Sequence, residues 1–341
     1  MGSYKEKACI YCGVTNDLSD SDIIPDALTN AKIINPNVCR IEHNNKFSDL
    51  FEDKVIKSLA LITNELNIKS SKGKNYATYD AKIIVDGVEY VTNLSSEAEL
   101  FKGKKIISTE DRLHKLGPIE QIKKFKDANE KNVLIVNVNQ LEIEKRVILK
   151  TEIFFSLEMH RLMAKIAFEW YCLNNEVCGK IAAFDNIIKF ISYGQEINPV
   201  KLVSNKDVYS LFNSFSEIGS HTLLTYIAED KSVNVIVSLF GIVIYNIRIL
   251  DEPIGECQNN AIFQELTINA KRYRFCNQTL ESLKDSFNDS LYDVVMPNGI
   301  KAKFPKNIQD LSLKYQLIYM CSYELFQKNL LCVDEPNDLI V

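Results

Sequence analysis

Four residues near the N-terminus have the types and the spacing of a metal site. Cys9 and Cys12 form a C-x2-C pair in "CIYCG", and Cys39 and His43 are separated by three residues in "CRIEH". Thiolates and neutral imidazole form the usual ligand set of tetrahedral, structural Zn²⁺. The sequence therefore predicts a structural zinc ion on these four side chains. The alternative is that the four are unrelated and that "CIYCG" is a reduced surface turn.

The segments that would position these ligands differ in character. Residues 1–50 are polar, rich in turn formers and without the apolar periodicity of a core-forming helix. From Phe47 to Ile68, apolar residues recur at spacings of three and four, which is the pattern of an amphipathic helix. A polar segment with one helix buries little apolar surface, so a metal ion would supply energy to fold it.

The rest of the chain predicts a larger body of mixed helices and strands. Residues 76–94 alternate in polarity and turn at Asp86-Gly87, a typical hairpin signal. Residues 233–250 are apolar enough to suggest a membrane span, but polar residues interrupt them and β-branched residues dominate, which predicts two buried strands meeting near Gly241. The further predicted elements are helices over 151–173, over 183–194 with its end at Gly194, and over 307–331.

Composition excludes some classes of protein. The chain has 341 residues, of which 46% are hydrophobic and 25% charged, as in a folded protein of two or three units. Its formal net charge of -5 means that nucleic-acid binding would need a local basic face. Nine cysteines do not suggest a disulfide framework, and "MGSYKEKAC" lacks the apolar run of a signal peptide, so we expect a cytoplasmic protein outside the membrane. No P-loop or dinucleotide fingerprint occurs.

The N-terminal motifs resemble the HNH endonuclease family, in the subgroup that joins a zinc knuckle to a ββα-metal nuclease core. The motifs that carry the resemblance are "CIYCG", "SDIIPDAL", "NVC" and "HNNKFS". We therefore expect an α+β protein with a small, zinc-stabilised, treble-clef-like head over 1–70 and a larger mixed α/β body over 71–341. Within the body, 71–150 would be a β-rich insertion and 151–341 a helical region with a β-meander.

The resemblance also implies roles for three residues. In the family a histidine before "IIP" activates water, an asparagine orients that histidine, and a last histidine or asparagine helps to hold one divalent metal at the scissile phosphate. On this chain these positions fall on Asp22, Asn37 and Asn44, with Mg²⁺ or Mn²⁺ as the catalytic ion. Asp22 departs from the pattern, because a carboxylate binds Mg²⁺ well but is a weak proton acceptor.

Three interpretations of this departure are open from the sequence. In the first, Asp22 is a metal ligand whose bound water is the nucleophile, helped by Asp20, Asp49 or Glu52. In the second, His43 is the base, and the zinc has three cysteine ligands or is absent. In the third, the head is a catalytically degenerate zinc module that binds nucleic acid or a protein without cutting.

As a nuclease, the protein would hydrolyse phosphodiester bonds in DNA in preference to RNA, in a bacterial or phage defence setting that only the resemblance implies. Three lysine groups, within 69–74, 102–105 and 123–126, would give a phosphate-binding face if the fold brings them together. The sequence is also compatible with a protein partner or a homo-oligomer.

Overall fold

The structure is a computed structural model that describes most of residues 7–254 and the backbone of four later strands. The described ranges are 7–69, 75–95, 106–125, 130–137, 142–147, 151–195, 197–203 and 219–254, with strands at 261–266, 273–278, 291–295 and 301–305. The chain divides into two compact units. Residues 1–55 and 151–341 form the first unit, and residues 56–150 form the second.

The first unit begins with the segment that carries the predicted metal ligands. Two antiparallel strands, β1 (Leu18–Asp22) and β2 (Ile34–Cys39), form a small sheet. Helical turns follow β2 directly. They are π-helical, which is wider than an α-helix, over Arg40–Asn45 and Ser48–Glu52, and they are followed by the α-helix α1 (Asp53–Ser58). The chain therefore runs strand, strand, helix after the turn that contains the first two cysteines.

The second unit is an antiparallel sheet with short helices. Its elements are α2 (Ala60–Glu65), β3 (Tyr79–Val85), β4 (Val88–Leu94), β5 (Ile107–Ser108), β6 (Lys115–Leu116), α3 (Ile119–Ile122) and β7 (Ile143–Val147). The strands lie in the order β6-β5-β4-β3-β7. Asp86 and Gly87 both have positive φ, the conformation of a two-residue hairpin turn, so the predicted turn is confirmed.

Two packed helices follow in the first unit. Helix α4 (Leu157–Asn174) begins at Ser156, whose hydroxyl accepts a hydrogen bond from the amide of Met159 at 3.1 Å. Most side chains of α4 are buried, including Met159, Leu162, Ile166 and Trp170, which are spaced three and four residues apart. Helix α5 (Asp185–Tyr193) packs against α4 and ends at Gly194, whose φ of 65° is the left-handed cap that glycine favours.

A six-stranded antiparallel sheet packs against α4 through its central strands. Its strands are β8 (Val200–Leu202), β9 (His221–Ile227), β10 (Val233–Leu239), β11 (Val243–Leu250), β12 (Ala261–Leu266) and β13 (Tyr273–Gln278). They lie in the order β13-β12-β9-β10-β11-β8. β10 is buried throughout, including its polar residues Asn234 and Ser238, and the rest of the strand is apolar. A separate two-stranded sheet pairs β14 (Leu291–Val295) with β15 (Lys301–Pro305).

These elements confirm the predicted α+β class and most of the predicted helices and strands. The helices over 151–173 and 183–194 are present, and two strands meet at Gly241. The helix expected from Phe47 is preceded by helical turns that begin at Arg40. The predicted helix over 307–331 lies outside the described residues. In the described part of the chain, no helix has both the length and the apolar character needed to cross a membrane.

The division into units differs from the expected boundary near residue 70. Residues 1–55 group with 151–341, whereas 56–150 form the other unit. The physical reason is that the N-terminal segment buries its aromatic and polar side chains against α4, including Tyr11 and Ser21. An expected independent head is thus packed into the larger unit.

The cap of α5 generates a stability prediction. We expect Gly194→Ala to lower the free energy of unfolding by about 1 to 2 kcal/mol, since an L-residue is strained at positive φ. The added Cβ would also lie 3.1 Å from Leu157 Cδ2. Thermal denaturation measures the effect. Gly87→Asn is the control, because asparagine tolerates its hairpin φ and nothing lies within 4 Å of the added Cβ. Equal melting temperatures for both variants would contradict the prediction.

Candidate metal centre

The four predicted metal ligands lie together. The ligand atoms of Cys9, Cys12, Cys39 and His43 are all within 4.8 Å of one another and could hold a metal ion. Cys12 Sγ lies 3.8 Å from Cys39 Sγ, and Cys9 Sγ lies 3.8 Å from His43 Nδ1. With Zn–S bonds of about 2.3 Å, tetrahedral geometry requires sulfur atoms about 3.8 Å apart. The donor set and its spacing therefore fit a tetrahedral metal ion.

Local backbone structure explains how the sequence places these ligands. The Cys9 amide donates to the Val14 carbonyl at 2.8 Å, and the Gly13 amide donates to the Cys9 carbonyl at 2.8 Å, so the C-x2-C pair lies in a tight turn. Gly13 has a φ of 81°, which glycine adopts without strain. Cys39 is the last residue of β2, and the wide helical turn that follows returns His43 to within 2.9 Å of its sulfur.

The thiols have very different acidities before a metal binds. Burial alone would raise the pKa of Cys9, but hydrogen bonds from His43 and nearby amides outweigh it and lower this pKa to about 6. Burial, and then the charge of Cys9, raise the pKa of Cys39 to about 12. A second thiolate is thus disfavoured beside the first. A bound cation removes that repulsion, so metal binding would be coupled to loss of thiol protons.

Aromatic rings hold the imidazole in place. The rings of His43 and Tyr11 stack with centroids 4.9 Å apart, and the Phe47 ring meets His43 edge-on at 5.4 Å. His43 Nδ1 lies among the sulfur atoms. This geometry favours His43 as the fourth ligand over the interpretation in which it serves as a base.

Asp22 lies at the end of β1, and its carboxylate is partly exposed. The side chain is 32% exposed, and Oδ1 forms an ion pair with Lys32 Nζ at 3.2 Å. Its backbone carbonyl accepts a hydrogen bond from Lys165 Nζ at 2.6 Å. A catalytic metal ion at Asp22 would therefore compete with Lys32 for the carboxylate.

Asn44 returns to the same strand, whereas Asn37 is buried in the sheet. Asn44 Nδ2 donates to Ser19 Oγ and to the Asp20 carbonyl, both at 3.1 Å. Asn37 is 8% exposed, and its carbonyl accepts a hydrogen bond from the Ile10 amide at 2.9 Å. Of the two asparagines, only Asn44 is partly exposed, and its hydrogen bonds to β1 are with Ser19 and Asp20 and not with Asp22.

The three carboxylates proposed to assist Asp22 are not equivalent. Asp20 and Asp49 are exposed. Glu52 is buried and lies 2.8 Å from Lys165 Nζ, so it is an ion-pair partner in the core and not a surface ligand.

Most members of the three lysine groups lie outside the described residues, so a phosphate-binding face stays a prediction.

A buried polar network, which no motif in the sequence indicates, lies beneath the cysteine turn. Glu169 on α4 is fully buried and accepts hydrogen bonds from Tyr11 OH and Ser21 Oγ, each at 2.9 Å. Lys165, one turn earlier, is 1% exposed and bridges Glu52 and Glu169 at 2.8 and 3.8 Å. In the sequence, a lysine and a glutamate four residues apart in an otherwise apolar helix are the feature that could have indicated this network. Such residues are rarely buried without partners.

Burial shifts the titration of this network. It raises the pKa of Glu169 to about 7, although Lys165, Ser21 and Tyr11 stabilise the charged form. Burial would lower the pKa of Lys165, but the carboxylates of Glu169 and Glu52 outweigh it, so this pKa lies above its usual value. The ammonium stays charged, and the Glu169 carboxyl gains and loses its proton near neutral pH.

A second buried titratable group joins the loop between β1 and β2 to the six-stranded sheet. His221 Nε2 lies 2.7 Å from the Leu28 carbonyl, and the Phe240 amide donates to Nδ1 at 3.4 Å. Burial lowers the pKa of His221 to about 4, although the Leu28 carbonyl opposes the shift. His221 is therefore a neutral, hydrogen-bonded core residue.

Comparison with known proteins adds no relative. Neither protein-family models, nor curated proteins, nor solved structures match the chain significantly.

The buried carboxyl of Glu169 generates a pH prediction. Between about pH 4.5 and pH 7 the folded protein holds a proton that the unfolded chain has released. The contribution of Glu169 to the free energy of unfolding is therefore greatest below this window and falls as pH rises through it. We expect Glu169→Gln to remove this contribution, since the amide does not titrate.

The measurement is the difference in thermal stability between wild type and Glu169→Gln across that window. His221 acts in the opposite direction, because its lowered pKa reduces stability as pH falls. The difference cancels His221 and any loss of metal in acid, which both proteins share. A difference that does not change with pH would show that Glu169 keeps an ordinary pKa.

Proposed function

We propose that Cys9, Cys12, Cys39 and His43 hold one structural zinc ion. Three thiols and one imidazole whose ligand atoms lie within 4.8 Å of one another support this identity, because zinc is the usual metal of such a set. All four positions are filled by protein atoms, so the zinc would be closed to substrate. The five cysteines whose side chains are described are free thiols, as this role requires of three of them.

Elemental analysis of purified protein tests the metal. We expect one zinc per wild-type chain and less than about a tenth of that in Cys12→Ser or His43→Ala, with a large loss of stability, because a structural zinc contributes folding energy directly. Cys178→Ser is the matched control, since this free cysteine lies outside the ligand cluster. A folded, metal-free wild type would refute the zinc assignment.

For the biochemical function, we propose metal-dependent hydrolysis of phosphodiester bonds in DNA by an HNH-like site at Asp22. The observation that carries this proposal is the position of Asp22 at the end of β1, partly exposed, with Asn44 hydrogen-bonded to the same strand at Asp20. Bound Mg²⁺ or Mn²⁺ would supply charge stabilisation at the phosphate. A bacterial or phage defence role follows from the resemblance alone.

The chain's own residues would divide the work as follows. The Asp22 carboxylate binds the ion, and Asn44 holds β1 against the helical turn that also carries His43. The exposed Asp20 carboxylate, two residues from Asp22, is the candidate to assist Asp22 at the ion. Asn37 supports the sheet from inside, since its side chain is buried.

One observation favours a second candidate, a zinc module that binds without cutting. Lys32 Nζ already neutralises the Asp22 carboxylate at 3.2 Å, and aspartate stands where the family has its histidine. An exposed ion pair of this kind contributes only about 0 to 1 kcal/mol, so a divalent ion could displace the lysine. The two candidates therefore differ in whether Asp22 is needed for turnover.

A plasmid-nicking assay in Mg²⁺, Mn²⁺ or EDTA separates them. For a nuclease we expect cutting that needs the added ion. The cutting rate should fall by about 100-fold or more in Asp22→Asn, because loss of a direct metal ligand should exceed the roughly ten- to hundredfold effect of losing a group that only orients a ligand. Asp17→Asn makes the same charge change in an exposed residue whose positive φ asparagine tolerates.

Zinc content and melting temperature must match among the three proteins. Cutting that persists in Asp22→Asn would refute the proposed site. A folded, zinc-loaded wild type that binds DNA but cuts neither DNA nor RNA would establish the binding module instead.

A further inference from the structure

The ammonium of Lys165 contacts the proposed site from inside the protein. It donates to the Asp22 carbonyl at 2.6 Å, and it lies 2.8 Å from Glu52 Oε1 and 3.8 Å from Glu169 Oε2. The first two oxygens are within hydrogen-bond distance, the third is an ion-pair partner only, and the three come from three segments. Lys165 therefore joins β1, the helical turn over Ser48–Glu52 and α4 at one point.

The two carboxylates account for the charge of Lys165 but not for its contact with β1. A buried ion pair is often no more stabilising than apolar side chains of similar volume, so core stability alone does not require a lysine here. The contact with Asp22 is of a different kind, because it holds the backbone of the residue whose carboxylate reaches the surface. Glu169, four residues later, holds the preceding residue through Ser21 Oγ at 2.9 Å. Lys165 and Glu169, one turn apart on α4, thus form hydrogen bonds with the consecutive residues Asp22 and Ser21 at the end of β1.

We propose that Lys165 is a positioning residue for Asp22. It anchors the Asp22 peptide from the buried side and so sets the direction in which the carboxylate meets a divalent ion. This inference rests on the proposed function for its catalytic consequence. It also extends the site beyond the N-terminal motifs, because α4 supplies an essential group from residue 165.

The test replaces the whole charged group without leaving a buried charge unpaired. In the full-length protein, Lys165→Met is combined with Glu52→Gln and Glu169→Gln, which keeps the volumes similar. Arg161→Met is the control: this buried side chain on the same helix donates its hydrogen bonds to the Ile191 and Ser192 carbonyls, next to the end of α5.

Two measurements report whether Lys165 holds the Asp22 peptide in place. The first is hydrogen exchange at the Ile23 amide, which belongs to the Asp22–Ile23 peptide and donates to the Ile33 carbonyl at 2.9 Å. We expect the triple variant to exchange about tenfold faster or more there, since it loses a hydrogen bond to a charged donor. The second is the Mn²⁺ concentration for half-maximal nicking, which should rise about tenfold or more while zinc content stays at one per chain.

The outcomes separate the inference from the proposed function. Unchanged Ile23 exchange, or an unchanged Mn²⁺ dependence in an active enzyme, overturns the role of Lys165. If wild type does not cut DNA, the nuclease proposal fails, and exchange at Ile23 alone decides whether Lys165 holds Asp22. If Arg161→Met changes both readouts as much as the triple variant does, Lys165 has only a general structural role, and the inference also fails. If the triple variant does not fold, single Lys165→Gln is measured by the same criteria.

Discussion

The need of Lys165, Glu52 and Glu169 for buried polar partners determines how the N-terminal part of the first unit packs. An ammonium and two carboxylates lose their hydration in the core, and this cost is recovered only if each finds well-placed partners. Tyr11, Ser21 and the Asp22 carbonyl supply those partners, and all three come from the N-terminal segment. The polar requirements of α4 thus determine where that segment docks.

The cysteine cluster and the buried network have different tasks. The cluster closes a local loop, because its four ligands lie within residues 9–43 and join the turn, β2 and the helical turn. The network joins that assembly to α4, more than a hundred residues later in the chain. Tyr11 takes part in both, since its ring stacks on His43 and its hydroxyl donates to Glu169. A metal ion bound at the cluster would therefore also support the docking, because Tyr11 belongs to both.

This arrangement bears on how Asp22 could work. A carboxylate on a free hairpin would sample many directions, whereas Asp22 has its peptide held from within and its side chain at the surface. Preorganisation of this kind would favour binding of a metal ion, because little ordering would be left to be done. In the structure the partner of the Asp22 carboxylate is Lys32.

Local signals made much of this protein predictable from its sequence. The ligand spacing, the Asp86-Gly87 turn, the apolar period of α4 and the glycine cap at Gly194 each depend on residues close together in the chain. The docking of residues 7–55 on α4 was not predictable, because it depends on Lys165 and Glu169 meeting partners distant in sequence. Only the tertiary structure decides whether such charged residues face solvent or a core. Glu52 is buried because Lys165 pairs with it there, whereas the Asp22 carboxylate is partly exposed and pairs with Lys32.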